Sequence, residues 1–225
     1  MRIGALPARD PERRPQLTRE RVLGAAVLFA DREGIEALSM RRLAPELGVE
    51  PMSLYTHVTG KDDLLDGMVE VVVSEIPIRR SRAGWKTALR GLVLSARRVL
   101  LRHPWAPNII ATRTDPGPAV LRYVNAVVGI LLDGGFSLEQ AHHALHLLGS
   151  RVLGFTQDLF DDSGDMSPEQ AAAVAEQLGP AFPHLAALAL SVTHEGRLGG
   201  CDDDVEFELA LDVILDGLGR QLDAQ

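Results

Sequence analysis

Apolar residues in this chain recur at three- and four-residue spacings from about residue 17 onward, the periodicity of amphipathic helices. Val22, Ala26 and Phe29 form the first inner stripe, between a capping Thr18 and a terminating Gly34, with Leu17 and Val22 placed as a hydrophobic staple. Two short segments then meet at Gly48. Ser39 caps the first, whose Leu43 and Leu47 lie four apart on one face; Pro51 opens the second at a first-turn position, and Leu54 and Val58 repeat the spacing. This pattern predicts a helix-turn-helix. Pro45 lies inside the first of the two helices and removes one backbone bond, a change of about 3 kcal/mol in a helix interior.

From Lys61 a longer helix is expected to about Ile76, with Asp62 and Asp63 in the first turn, where the helix dipole favours acid. The β-branched run VEVVVSEI would also suit a strand, but Leu64, Leu65, Met68, Val72 and Ile76 continue a helical stripe without a break, so helix is preferred. Because it leaves the helix-turn-helix and ends at Pro77, this helix is the natural mechanical link to whatever follows. Beyond Gly84 every segment reads as helix: 85–102 with Leu89, Leu92, Ala96 and Val99 inward and Pro104 as its stop, then 118–132, 137 to about 160, 167–177, 183–192 and 205–222. The expected fold is therefore all-α. Residues 1–16 are a flexible arm, 17–76 a three-helix helix-turn-helix head with its linking helix, and 77–225 a larger helical body.

Charge sharpens this division. The 225 residues carry a net charge of −8, which by itself argues against nucleic acid, yet residues 1–61 are net +2 and the remainder net −10. A DNA-contacting head on an acidic body that repels phosphate fits that asymmetry. The arm holds three prolines and four arginines; it is either a plain disordered tail or adds phosphate and minor-groove contacts through Arg9, Arg13 and Arg14. The single cysteine, Cys201, excludes an internal disulfide and is either a bystander or a redox-sensing thiol. With no apolar N-terminal segment and no apolar run near the length of a bilayer span, a soluble, cytoplasmic protein without membrane association is expected.

On the outward face of the second short helix, Met52, Ser53, Tyr55, Thr56 and His57 are short or flat side chains suited to a DNA groove, and Lys61 follows just past the turn. The run GVEPMSLYTHVTGKDDLL resembles the recognition-helix block of the TetR family of bacterial transcriptional regulators, and LSMRRLAPELGV resembles the helix before it. In the body, GGFSLEQAHHALHLLGSRVLGF, FPHLAALA and FELALDVILDGL resemble the tetracycline-repressor-like branch of that family. The resemblance implies a one-component repressor that binds a palindromic double-stranded operator as a homodimer, built on the 137–160 and 203–222 helices of both subunits, and that a small apolar or amphipathic effector releases. It further implies that Tyr55, His57 and Lys61 sit on phosphates while Pro51, Met52, Ser53 and Thr56 face base edges. Ser39 and Arg41 complete the DNA-facing candidates.

In the tetracycline-repressor branch the drug arrives as a metal chelate gripped by two histidines; alignment through LLDGM and TRT puts Pro77 and Ile109 at those positions, and neither binds a metal. Thr112 and Arg113 do match residues near the drug site. His103, Trp105 and Asn108 form a mixed aromatic and polar group that is either a pocket wall or plain core. Arg151, in an otherwise apolar helix that continues to Phe155, needs a partner or a ligand anion. His103, Trp105, Asn108, Thr112, Arg113, Arg151 and Phe155 are thus the ligand candidates, for an effector bound without metal.

His142, His143 and His146 share a helix with Glu139, but without a Cys partner or a second Glu-x-x-His a packed or solvent-facing cluster is the simpler reading. No nucleophile motif, phosphate loop or paired carboxylates stand out, so neither catalytic residues nor a cofactor are expected. Two rival readings are a helical ligand-binding or enzymatic protein whose head has lost DNA function, and a regulator of the same kind that activates.

Overall fold

A computed structural model describes residues 16–79, 83–113, 115–154, 168–184, 186–187, 193–194, 197–198 and 203–223. It is all-α as expected, apart from a two-residue antiparallel pair, β1 (Thr193–His194) on β2 (Arg197–Leu198).

Helix α1 (Arg19–Glu33) begins where Thr18 accepts a bond from the Arg21 amide, and it buries Val22, Leu23, Ala26, Val27, Phe29 and Ala30. Helix α2 (Met40–Leu47) starts at Ser39, whose hydroxyl accepts from the Arg42 amide at 3.3 Å. Pro45 sits inside α2 without breaking it. The helix closes on Gly48, at φ +67°, with Val49 N–H on the Ala44 carbonyl and Gly48 N–H on the Pro45 carbonyl, a Schellman closure that a left-handed glycine permits. Helix α3 (Pro51–Leu54) is shorter than the sequence pattern predicts, a single turn. Val58 is buried, but from the turn that follows α3, held there by its amide on the Leu54 carbonyl.

Helix α4 (Lys61–Ser74) settles the ambiguity of the β-branched run in favour of helix. It ends two residues before the expected position, with Ile76 still buried beyond its end. Against α1 it packs so closely that a Cβ on Gly67 would lie 2.5 Å from a Leu23 methyl carbon. Its other sides pack on the body helices α5 (Trp85–Arg102), α6 (Ala106–Thr112) and α7 (Pro118–Asp133). One apolar cluster therefore runs from Val22 through α4 to Leu218.

Helix α5 matches its expected span and buries Leu89, Leu92, Ala96 and Val99. Helix α6 was not anticipated, although Pro107 in its first turn is a start signal. Helix α8 (Leu138–Gly154) opens on a reciprocal cap: Ser137 Oγ accepts from the Gln140 amide at 3.2 Å and Gln140 Oε1 from the Ser137 amide at 2.8 Å. Helices α9 (Pro168–Leu178) and α10 (Asp203–Asp223) complete the body, with α10 on α5. The expected extension of α8 to residue 160, most of the 183–192 segment, Cys201 and the arm before residue 16 lie outside the described residues.

Candidate nucleic-acid interface

The α2–α3 pair presents one side to the core and the other to solvent. Leu43, Ala44, Leu54 and Val58 are at most 1% exposed, whereas Met52 is 75% and Tyr55 47% exposed. Pro51 opens the α3 turn, and Thr56 donates its hydroxyl to the Ser53 carbonyl at 2.7 Å, fixing its own rotamer beside the exposed edge. Around the start of α2 lies a cleft of about 310 Å³ lined by Leu38, Ser39, Met40, Arg41, Tyr55, Lys61 and Leu64. Four candidates, Ser39, Arg41, Tyr55 and Lys61, are thus brought together although 22 positions separate the first from the last. The lining holds two cations and no carboxylate, beside the amide-rich end of α2, which is an electrostatic arrangement for an anion. Met40, in the same lining, was not singled out from the sequence; its place just after the Ser39 cap was the available signal.

A clasp behind the exposed edge holds the turn that follows α3. Arg19 donates to the His57 carbonyl at 2.8 Å and forks onto Asp63, at 3.0 and 2.5 Å. Asp63 also accepts from the Thr59 amide at 2.8 Å and hydroxyl at 3.3 Å. The Arg19 guanidinium and then the Thr59 amide hold the Asp63 carboxyl well below the usual carboxylate range, at about 2. His57 is half-buried, with its carbonyl on this clasp.

The ligand candidates divide between the two ends of α6. At its start, His103 and Trp105 are buried, and both ring N–H donors sit on the Asp31 carboxylate of α1. At its end, the Thr112 hydroxyl donates to the Ile109 carbonyl at 2.8 Å, and Arg113 Nη1 reaches Asp66 at 3.2 Å and Asp62 at 3.5 Å. Asn108 is exposed between them. His103 and Trp105 are thus engaged on α1, Arg113 on α4 and Thr112 within α6. Arg151 stands on α8 with its side chain outside the described residues, as is Phe155 altogether. A group that sequence reasoning passed over is Tyr123 on α7, half-buried, whose phenol burial pushes up to about 12. His142 and His146 are exposed with their rings edge to face at 4.5 Å, and among the described residues no three His, Cys, Asp or Glu side chains are placed to hold a metal ion.

Residues 22–68 match the family profile of bacterial regulatory proteins of the tetR family, and residues 77–222 match the tetracyclin repressor-like C-terminal domain. The chain belongs to the TetR family. It is similar to the HTH-type transcriptional repressor DrrR1 of Streptomyces coeruleorubidus, 37% identical over 153 residues, which are 67% of this chain and 56% of that protein, so the match spans little more than half of that relative. It is 30% identical over 203 residues to the class A tetracycline repressor of Escherichia coli, covering 89% of each chain. Among solved structures it is similar to the TetR family protein ActR of Streptomyces coelicolor in complex with actinorhodin, with a TM-score of 0.73, 32% identity and coverage of 92% of this chain and 99% of that one. No helix among the described residues of this TetR-family chain is long and apolar enough to cross a membrane.

Proposed function

We propose that this chain is a one-component transcriptional repressor that binds a two-fold-symmetric operator as a homodimer and leaves it when a small molecule enters the body. The observation that carries this reading is the carboxylate-free cleft at the start of α2, with Arg41, Tyr55 and Lys61 beside the exposed α3 edge. Tyr55, His57 and Lys61, with Ser39 and Arg41, hold the phosphate backbone, whereas Pro51, Met52, Ser53 and Thr56 meet base edges. With no Arg, Asn or Gln on α3 to make a bidentate base contact, thymine methyls and DNA shape weigh more than in arginine-rich readers.

Dimerisation is assigned to α8 and α10. Val205, Leu209 and Val213 recur at four-residue spacing on the outer side of α10 and are 54%, 58% and 61% exposed, as is Leu147 of α8 at 41%. A second copy is the partner that would cover them. The effector is apolar or amphipathic and binds without metal, since Pro77 and Ile109 stand where the tetracycline branch has histidines. The chain is read as a binding protein of the cytoplasm, without catalysis.

Selection of duplexes from a random pool by the full-length protein tests the reading. The expected product is a near-palindrome with half-sites roughly 34–36 Å apart, one helical turn. A pool that stays random would sink it. Sedimentation showing a monomer at micromolar concentration would remove the dimer. Tight, magnesium-dependent tetracycline binding by calorimetry would overturn the metal-free pocket.

A further inference from the structure

The last turn of α1 carries an acid, Asp31, at the helix end where the dipole disfavours one. Its oxygens accept from His103 Nδ1 at 2.9 and 3.0 Å, and Oδ1 accepts from Trp105 Nε1 at 2.7 Å. Both donors belong to the α5–α6 turn and both residues are buried, so each N–H requires an acceptor that only the protein supplies. Beside them Arg102, the last residue of α5, donates to Glu75 Oε2, just past the end of α4, at 2.6 Å. One turn of the body therefore grips the ends of two head helices, α1 and α4.

The broad helix-on-helix packing between head and body runs through α4. Packing along one helix leaves rotation about that helix weakly opposed, and an attachment away from its axis stops the rotation. Asp31 is such an attachment. It lies twelve residues, about 18 Å along the axis, from Arg19, which clasps the recognition turn at the other end of α1. Helix α1 is thereby a rigid bar with one end on the body and the other on the DNA-reading turn.

We infer that Asp31 is a positioning residue for DNA binding: held by His103 and Trp105, it sets the angle of the head against the body and with it the separation of the two recognition turns in the dimer. This rests on the dimeric DNA-binding reading.

The test is a spacing series. Operators selected by the wild-type chain are rebuilt with base pairs inserted or deleted between the half-sites, and affinities are measured for the wild type, Asp31→Ala, Trp105→Phe and the neighbouring control Arg32→Ala. The wild type and the control lose at least about tenfold on a two-base-pair change, whereas Asp31→Ala loses about tenfold at the best spacing and becomes nearly indifferent to spacing, with single half-site affinity unchanged. Trp105→Phe, which removes one of the bonds and keeps an aromatic ring in the site, moves the same way by a smaller factor and serves if Asp31→Ala does not fold. A spacing profile in both variants that parallels the wild type, whatever the absolute affinity, overturns the inference. If the wild type selects no DNA, the functional reading fails instead, and hydrogen exchange on the full chain then decides the latch. Faster exchange in Asp31→Ala at 28–33 and 103–106, with α2 unchanged, supports it, and unchanged exchange overturns it.

Discussion

In the head, one pair of charged side chains takes hold of backbone around a single turn; in the body a row of pairs lines the outside of two antiparallel helices. Arg19 and Asp63 clasp the His57 carbonyl and the Thr59 amide. On the body, Lys86 pairs with Asp216, Arg90 with Asp212 and Glu208, and Arg97 with Asp204, a ladder from α5 to α10. The head pairs close backbone hydrogen bonds that the short α3 leaves open, so they define a shape. The body pairs are mostly half-exposed and mark the register of helices that apolar packing of Leu89, Leu92, Phe207 and Leu211 already joins. Ion pairs of similar length thus do different work, according to whether they hold backbone or only each other.

Four measurements separate these roles, beginning with the largest effect. Leu54→Ala removes a fully buried side chain from a head that has few to spare, and denaturant unfolding should show a loss of about 2–5 kcal/mol. A loss under about 1 kcal/mol would mean that α3 is held by its turn rather than by its core contact. Asp63→Asn comes next, at about 1 kcal/mol once screening at a carboxylate 27% exposed and an arginine 41% exposed is allowed for. The folded carboxyl titrates at about 2, against an ordinary 3.8, so its contribution is complete above the unfolded value and disappears as pH falls from about 4 through about 2. The wild-type and Asp63→Asn unfolding midpoints should therefore differ at pH 5 and converge by about pH 2; a constant gap would show that the clasp acts through something other than charge. Tyr55→Phe should weaken binding to every selected operator by a similar factor of about 5, worth about 1 kcal/mol, because a hydroxyl on phosphate carries no sequence information. A changed sequence preference would reassign Tyr55 to base contact. Lys86→Ala should shift stability by less than about 0.5 kcal/mol; a larger loss would show the body ladder to be structural after all.

Periodicity and capping residues were enough to place α1, α4, α5, α7 and α10 to within a few residues, because those signals act between positions three and four apart. Where the interactions that set an element are not periodic, the reading slipped. Helix α3 is one turn because Val58 reaches the core from a turn, which apolar spacing cannot distinguish from a continued helix. Helix α6 was hidden behind Pro104 and a run of mixed character.

That Ser39, Arg41, Tyr55 and Lys61 share one cleft follows from the same logic. Ser39 and Arg41 start one short helix, while Tyr55 and Lys61 flank the end of the next, and a tight turn at Gly48 leaves little freedom in how the two meet. The ligand candidates were chosen by residue type, and type does not name a partner. His103 and Trp105 read equally well as a pocket wall or as core until the fold brought up Asp31, 72 and 74 positions earlier in the chain. Arg113 likewise found its carboxylates 47 and 51 positions away on α4. By itself the sequence determined most of the longer helices and which of their faces are apolar, since backbone hydrogen bonding and burial patterns are local properties. Only the tertiary structure decided which donor meets which acceptor, because a buried polar atom takes whichever partner the packing of distant helices places within about 3 Å of it.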